Sequence, residues 1–155
     1  MTIQWREELS IDRGPIDQDH HTQIAIINSF ETIEAGQKSA AKLAAVLAKL
    51  EQYGHAHFER EEKLQRMVGF PDAASHHQQH RILLHSLAGA RAELAAVTSD
   101  EDLATFRAHM SGFLHDWLLD HIMQNDLLMK PFVRAMAPQA ALIANLHAAV
   151  RAMAG

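Results

Sequence analysis

Twelve histidines in a chain of 155 residues nearly match its 14 lysines plus arginines, so imidazole is the side chain best supplied to do chemistry. Their spacing says more than their number. His57 and Glu61 stand four residues apart, as do His76 and His80. Residues at i and i+4 of a helix lie about 40° apart around its axis and one turn apart along it, so each pair aims two donors in one direction. His20 lies one turn before Ile24, and His121 one turn beyond Trp117, in line with apolar residues. Burying such groups without partners costs on the order of several kcal/mol, a cost that a metal ion removes. Imidazole suits iron, zinc, copper or nickel, and a carboxylate between two imidazole-bound ions can bridge them. Five histidines with one or two carboxylates exceed the needs of one ion, and a dinuclear site accommodates them.

Each piece alone has a plainer reading. A single H-x-x-x-H is often coincidence or surface chelation, and H-x-x-x-E is often a helix-surface pair. It is their joint appearance on the apolar faces of four successive helices that points to a buried metal site. His21, His55, His77, His85, His109, His115 and His147 have no comparable placement and are read as solvated or as supporting residues behind the ligands.

Helices must do the positioning. Residues 1–16 read as an arm that Trp5, Leu9 and Ile11 pin to a body, broken by Gly14-Pro15. Helix A is expected over 17–35, with Gly36 as its stop. Helix B is expected over 39–68, with Leu43, Leu47, Leu50, His57, Glu61 and Leu64 on one face, ended by Gly69-Phe70-Pro71. Helix C is expected over 72–96 with Asp72 as N-cap, and helix D starts at Ser99 or Asp100, with Pro131 near its end. Gln139 to Met153 reads as a further amphipathic segment. The expected architecture is all-α: an up-down-up-down four-helix bundle with an N-terminal arm and an additional C-terminal helix, one domain with its bundle over 1–131 and its extension over 132–155.

Composition narrows the function. Cysteine is absent, which excludes disulfides, thiolate metal sites and cysteine nucleophiles. A formal net charge of −5 without a long basic run argues against nucleic-acid and polybasic membrane partners. The start lacks the apolar stretch of a signal peptide, and a cytoplasmic location is expected.

Taken in order, Ile16-Asp17-Gln18-Asp19-His20, Tyr53-x-x-x-His57-Phe58-x-x-Glu61-Glu62, Gly69-Phe70-Pro71-x-x-x-x-His76-x-x-x-His80 and Trp117-Leu118-x-x-His121-Ile122-x-x-x-Asp126, with Trp5 in the arm, resemble hemerythrin in its bacterial single-domain form (bacteriohemerythrin). The resemblance implies two non-heme iron ions with a bridging oxo or hydroxo group. It assigns His76, His80 and His121 to one iron, His20 and His57 to the other, and Glu61 and Asp126 to the bridge. It implies reversible binding of dioxygen, held as a hydroperoxide at a vacant position on the two-histidine iron. Phe58, Trp117, Leu118 and Ile122 match the pocket that keeps that position dry. Asp126 follows His121 by five residues, about 140° off the same face of a regular helix, so a π-type turn is expected between them.

Two positions depart from the family pattern. Gln23 stands where an aliphatic residue is usual near the oxygen pocket, and Asp19 where Gln is usual. Facing the vacant position, the Gln23 amide would hydrogen-bond a ligand or admit water; turned to solvent, it would mean little. The expected function is a non-enzymatic oxygen-binding protein for storage, transport or scavenging, monomeric or a homo-oligomer through the C-terminal helix. The alternatives are a di-iron enzyme acting on peroxide or nitric oxide, with Gln23 or Tyr53 assisting, and an oxygen or redox sensor.

Overall fold

The computed structural model describes residues 2–34 and 39–136. Four long helices dominate it: α1 (Pro15–Glu31), α2 (Ser39–Val68), α3 (Ala73–Ala96) and α4 (Asp100–Gln124). Each packs on its neighbour in sequence and α1 also packs on α4, which closes the ring of an up-down-up-down four-helix bundle. No strand occurs among the described residues. None of the described helices is long and apolar enough to cross a membrane.

Local chemistry sets the boundaries. Gly14-Pro15 was expected only to break the arm, yet Pro15 opens α1 at the first helical position, where its missing N–H costs nothing. Asp12 caps that end, its carboxylate accepting from the backbone N–H groups of Gly14 at 2.8 Å and of Ile16 and Asp17 at 3.1 Å. The helix ends at Glu31 with Thr32 as its cap residue, four residues before the expected Ala35; Gly36 lies outside the described residues. At the end of α2, Gly69 takes φ +66° and the Phe70 N–H donates to the Gln65 carbonyl at 2.9 Å, closing a Schellman turn. Ser99 caps α4 by accepting from the Asp102 N–H at 3.1 Å, whereas Asp72 precedes α3 without a side-chain cap.

The helices meet through two apolar clusters. Most of the core lies toward one end, where Ile24, Ile27, Phe30, Leu43, Leu47, Leu50, Leu87, Phe106 and Leu114 are buried. A smaller cluster of Ile11, Ile16, Phe70 and Met129 closes the other end, with Phe132 and Val133 packed against it. The histidines and carboxylates singled out above lie between these clusters. The arm is tied down beside α1, where Asn28 exchanges two 2.8 Å hydrogen bonds with the backbone of Ile3. Leu9 and Ile11 are buried as expected, and Trp5 is half-buried with its ring 4.2 Å from that of His21.

The expected π-type turn in the fourth helix is not what forms. Instead α4 stops at Gln124, Asn125 leaves the helical path at φ −124°, ψ −59°, and a 3₁₀ turn runs over Asp126–Met129. The Leu128 N–H donates to the Asn125 carbonyl at 3.1 Å, three residues back. A break corrects the angular mismatch as a widened turn would, and it returns Asp126 to the interior with no exposure. Residues 130–136 are helical, and the expected helix over Gln139 to Met153 lies outside the described residues.

Candidate metal centre

His20 on α1, His57 and Glu61 on α2, His76 and His80 on α3, His121 on α4 and Asp126 on the turn after it are all buried and converge. Their donor atoms form two overlapping sets. In one, Glu61, His76, His80, His121 and Asp126 bring their donor atoms within 4.8 Å of one another; in the other, His20, His57, Glu61 and Asp126 do the same. The sets share the two carboxylates and divide the imidazoles three and two. Thus the structure brings together every residue the sequence nominated as a ligand, Asp126 included.

The individual approaches are short. Asp126 Oδ1 lies 2.9 Å from His76 Nε2 and 3.0 Å from His121 Nε2, and Asp126 Oδ2 lies 3.2 Å from His20 Nε2. Glu61 Oε2 lies 2.9 Å from His80 Nε2, 3.6 Å from His76 Nε2 and 3.9 Å from His57 Nε2. Yet neither carboxylate oxygen of Glu61 or Asp126 meets a donor in hydrogen-bond alignment. The groups point at common centres rather than at each other, as ligands around a cation do.

Tautomers sharpen the point. Glu62 Oε1 lies 2.8 Å from His80 Nδ1, and Asp19 Oδ2 lies 3.2 Å from His57 Nδ1. An ionised carboxylate only accepts, so both imidazoles carry a proton on Nδ1 and turn the Nε2 lone pair inward. His80 Nε2 then faces the Glu61 carboxylate at 2.9 Å, electron pair against anion. Only a cation, a proton or a metal ion, resolves that contact. A carboxylate behind a ligating imidazole is a common device in metal sites, where it fixes the ring and strengthens the donor.

These supporting carboxylates are themselves held as anions. Burial opposes ionisation of Asp19, but hydrogen bonds from His57, Arg60 and Tyr53 outweigh it and keep the pKa well below the ordinary carboxylate value. Burial likewise opposes ionisation of Glu62, and its hydrogen bonds from His80 and His77 lower the pKa. Burial also works against ionising Asp126, yet His121 beside it, with His20 and His76, holds the pKa well below the usual range. The centre therefore presents fixed negative charge to whatever cation it holds.

The Asp19 network reaches the surface. The Arg60 guanidinium donates to both carboxylate oxygens at 2.8 and 2.9 Å, and the Tyr53 hydroxyl donates at 2.9 Å. Tyr53, expected within reach of the metals, thus gives its hydroxyl to Asp19. Neither Asp19 nor Glu62 was assigned this role from sequence, although each adjoins a nominated ligand, His20 and Glu61, and a carboxylate in that place is a readable signal. Among the other histidines, His77 donates to Glu62 from an exposed position, and His55, His85 and His109 are exposed. His147 lies outside the described residues.

Phe58 lies against the imidazoles of the centre. The Phe58 ring stacks on His80 with centroids 4.0 Å apart and meets His121 edge-on at 5.7 Å. Trp117 is anchored by its indole N–H, which donates to the Leu83 carbonyl at 3.1 Å. Leu118 and Ile122 are buried beside them on α4. Gln23 is fully buried, which rules out the solvent-facing alternative.

Comparison with known proteins agrees with this geometry. Residues 15–133 match the family model "Hemerythrin HHE cation binding domain". The bacteriohemerythrin of Stenotrophomonas maltophilia is 28% identical over 131 residues, covering 84% of this chain and 81% of that protein. That of Methylococcus capsulatus is 28% identical over 129 residues, covering 83% and 93%. A hemerythrin-like protein of Naegleria gruberi is 24% identical over 126 residues, covering 81% and 89%. With a bundle of this topology, a buried cluster of imidazoles and carboxylates at its centre and a family match across most of its length, the chain belongs to the hemerythrin family.

Proposed function

We propose that this chain is a non-heme di-iron protein that binds dioxygen reversibly for storage, transport or scavenging. His76, His80 and His121 hold one ion and His20 and His57 the other, with Glu61 and Asp126 spanning the two. The observation that carries this reading is the three-and-two division of imidazoles around two shared carboxylates. The two-imidazole set has one imidazole fewer, so an ion held there would have room for a small molecule. A pair of ferrous ions, when bound, supplies electrons that dioxygen can accept and return.

The chain's own residues act around that chemistry. Asp19 and Glu62 orient His57 and His80 and hold their tautomers. Phe58, Trp117, Leu118 and Ile122 would keep water away from a group held there and so limit side reactions. With the Tyr53 hydroxyl given to Asp19, no tyrosine proton is offered to a bound ligand, which favours binding over turnover of peroxide or nitric oxide. The name bacteriohemerythrin carried by bacterial relatives supports the same reading. We take the bundle over 1–131 and its extension over 132–155 as one domain, working in the cytoplasm as a monomer or as a homo-oligomer through the C-terminal helix.

The test is a visible spectrum of the reduced, iron-loaded protein before air, in air, and after oxygen is removed. A charge-transfer band that appears and then disappears is expected. Direct passage to an air-stable oxidised form, with steady consumption of peroxide or nitric oxide, would replace this reading with the enzymatic one.

A further inference from the structure

The N-terminal arm is fastened unequally at its two ends. It runs antiparallel to α1, with Ile3 at Asn28, Trp5 at His21, and Ser10, Ile11 and Arg13 at Asp17. At the later end the Asp17 carboxylate accepts four hydrogen bonds, from Ser10 Oγ and from the N–H groups of Ile11, Asp12 and Arg13. Leu9 and Ile11 are buried there as well. At the earlier end one side chain holds the arm. Asn28 accepts from the Ile3 N–H and donates to the Ile3 carbonyl, each at 2.8 Å.

Between these ends the arm is loosely held. Gln4, Arg6, Glu7 and Glu8 are exposed, and the backbone bonds here stay within the arm, from the Leu9 N–H to Arg6 and from the Ser10 N–H to Glu7. Its apolar anchors are Ile3, which is buried, and Trp5, which is half-buried. The Trp5 ring lies 4.2 Å from that of the exposed His21 and 6.5 Å from that of His20. His20 is wholly buried and its Nδ1 meets no protein partner. Carboxylates back His57 and His80, whereas the ring that approaches His20 from outside the centre is Trp5. A stretch with few buried contacts and exposed backbone opens at a lower free energy than the helices beside it. Opening residues 2–8 breaks the two Asn28 bonds and lifts two apolar side chains, and it leaves the Asp17 clasp closed.

Resting on the di-iron reading, we propose that residues 2–8 are a strap beside His20, hinged over 9–13 and latched by Asn28, whose opening sets how fast the ion held by His20 and His57 enters and leaves. With the latch closed, Trp5 keeps solvent from His20. With it open, water reaches that imidazole and takes its place on the departing ion. The set of His76, His80 and His121 stands on α3 and α4, away from the arm, and its ion does not use this route.

The experiment follows release of ferrous iron from the loaded protein, without air, into an excess of a colour-forming chelator. The phase that Asp19→Asn quickens belongs to the His20 and His57 half, because Asp19 stands behind His57. Asn28→Ala and Trp5→Ala are each expected to quicken that phase about tenfold or more, the factor that loss of one or two hydrogen bonds gives an opening equilibrium. The other phase should stay within about twofold, and Trp5→Phe, which keeps a ring, should release iron nearly as the parent does. Trp5→Ala leaves the four helices intact and carries the test where Asn28→Ala does not fold. Amide exchange of the metal-free protein reads the opening itself: in Asn28→Ala it should rise over residues 3–8 and not in α2 or α3. Exchange over 3–8 at the parent rate overturns the latch. Faster exchange there with unchanged iron release, or both release phases quickened alike, overturns the strap and leaves the di-iron reading intact. Failure of the parent itself to hold two irons overturns that reading.

Discussion

Replacing Asp19 with asparagine tests how the protein itself tunes its centre. The carboxylate accepts four hydrogen bonds, from Tyr53, from His57 and two from Arg60. An amide keeps one acceptor oxygen and turns its NH₂ toward the remaining donors. Arg60 has a side chain 43% exposed and returns to water at little cost, within about 1 kcal/mol. His57 is buried, and its Nδ1–H competes with the Tyr53 hydroxyl for the single remaining oxygen. Whichever loses is a buried or half-buried donor without a partner, at about 1–3 kcal/mol. The loss falls on the His57 side, because the amide no longer fixes that ring or strengthens its Nε2. Asp19→Asn should therefore weaken binding of the ion held by His20 and His57 roughly 10- to 100-fold, the range usual for partners of metal ligands. Binding by the three-histidine set should change little. Glu62→Gln should do the reverse, because Glu62 stands behind His80. Stepwise metal titration, read by equilibrium dialysis and metal analysis, resolves the two affinities. Parent-like loading of both sites in Asp19→Asn would refute the reasoning, as would both variants weakening the same site.

Other consequences follow from the scaffold. Asp17→Ala removes the acceptor for Ser10 Oγ at 2.6 Å and for the Ile11 and Arg13 N–H groups at 2.7 and 3.0 Å. It should cost about 3 kcal/mol in denaturant unfolding and speed amide exchange over residues 9–13; unchanged exchange there would count against the arm being held by this carboxylate. Ser99→Ala should destabilise α4 by about 1 kcal/mol, read from the urea midpoint, through loss of its cap to Asp102. Leu114→Ala, at a fully buried position, should cost about 2–5 kcal/mol by the same measurement. A loss below 1 kcal/mol would contradict the packing described for the core.

Much of this architecture is legible in the sequence because helix periodicity and helix ends are local signals. The second helix falls on Ser39–Val68, as its leucine spacing and the Gly69-Phe70-Pro71 stop require. Ser99 caps the fourth because its side chain acts on the three residues that follow it. The first helix stops short of Ala35, since nothing local distinguishes a continuing turn from a cap at Thr32. For the centre, spacing alone singles out His57 with Glu61 and His76 with His80, whereas Asp126 becomes legible only through the family resemblance. Its route to the centre depends on a backbone break at Asn125 that side-chain spacing does not encode. The partnerships of Asp19 with His57 and of Tyr53 and Arg60 with Asp19 span 34 to 41 positions and arise only when α1 packs on α2.

Crystal diffraction from the iron-loaded protein, with anomalous data on both sides of the iron absorption edge, tests the central claim most directly. The account predicts two iron peaks inside the bundle, about 3.5–4 Å apart, one held by His76, His80 and His121 and the other by His20 and His57, with Glu61 and Asp126 touching both. A single peak, or iron held by exposed histidines such as His77 or His85 while the buried cluster stays empty, would contradict it.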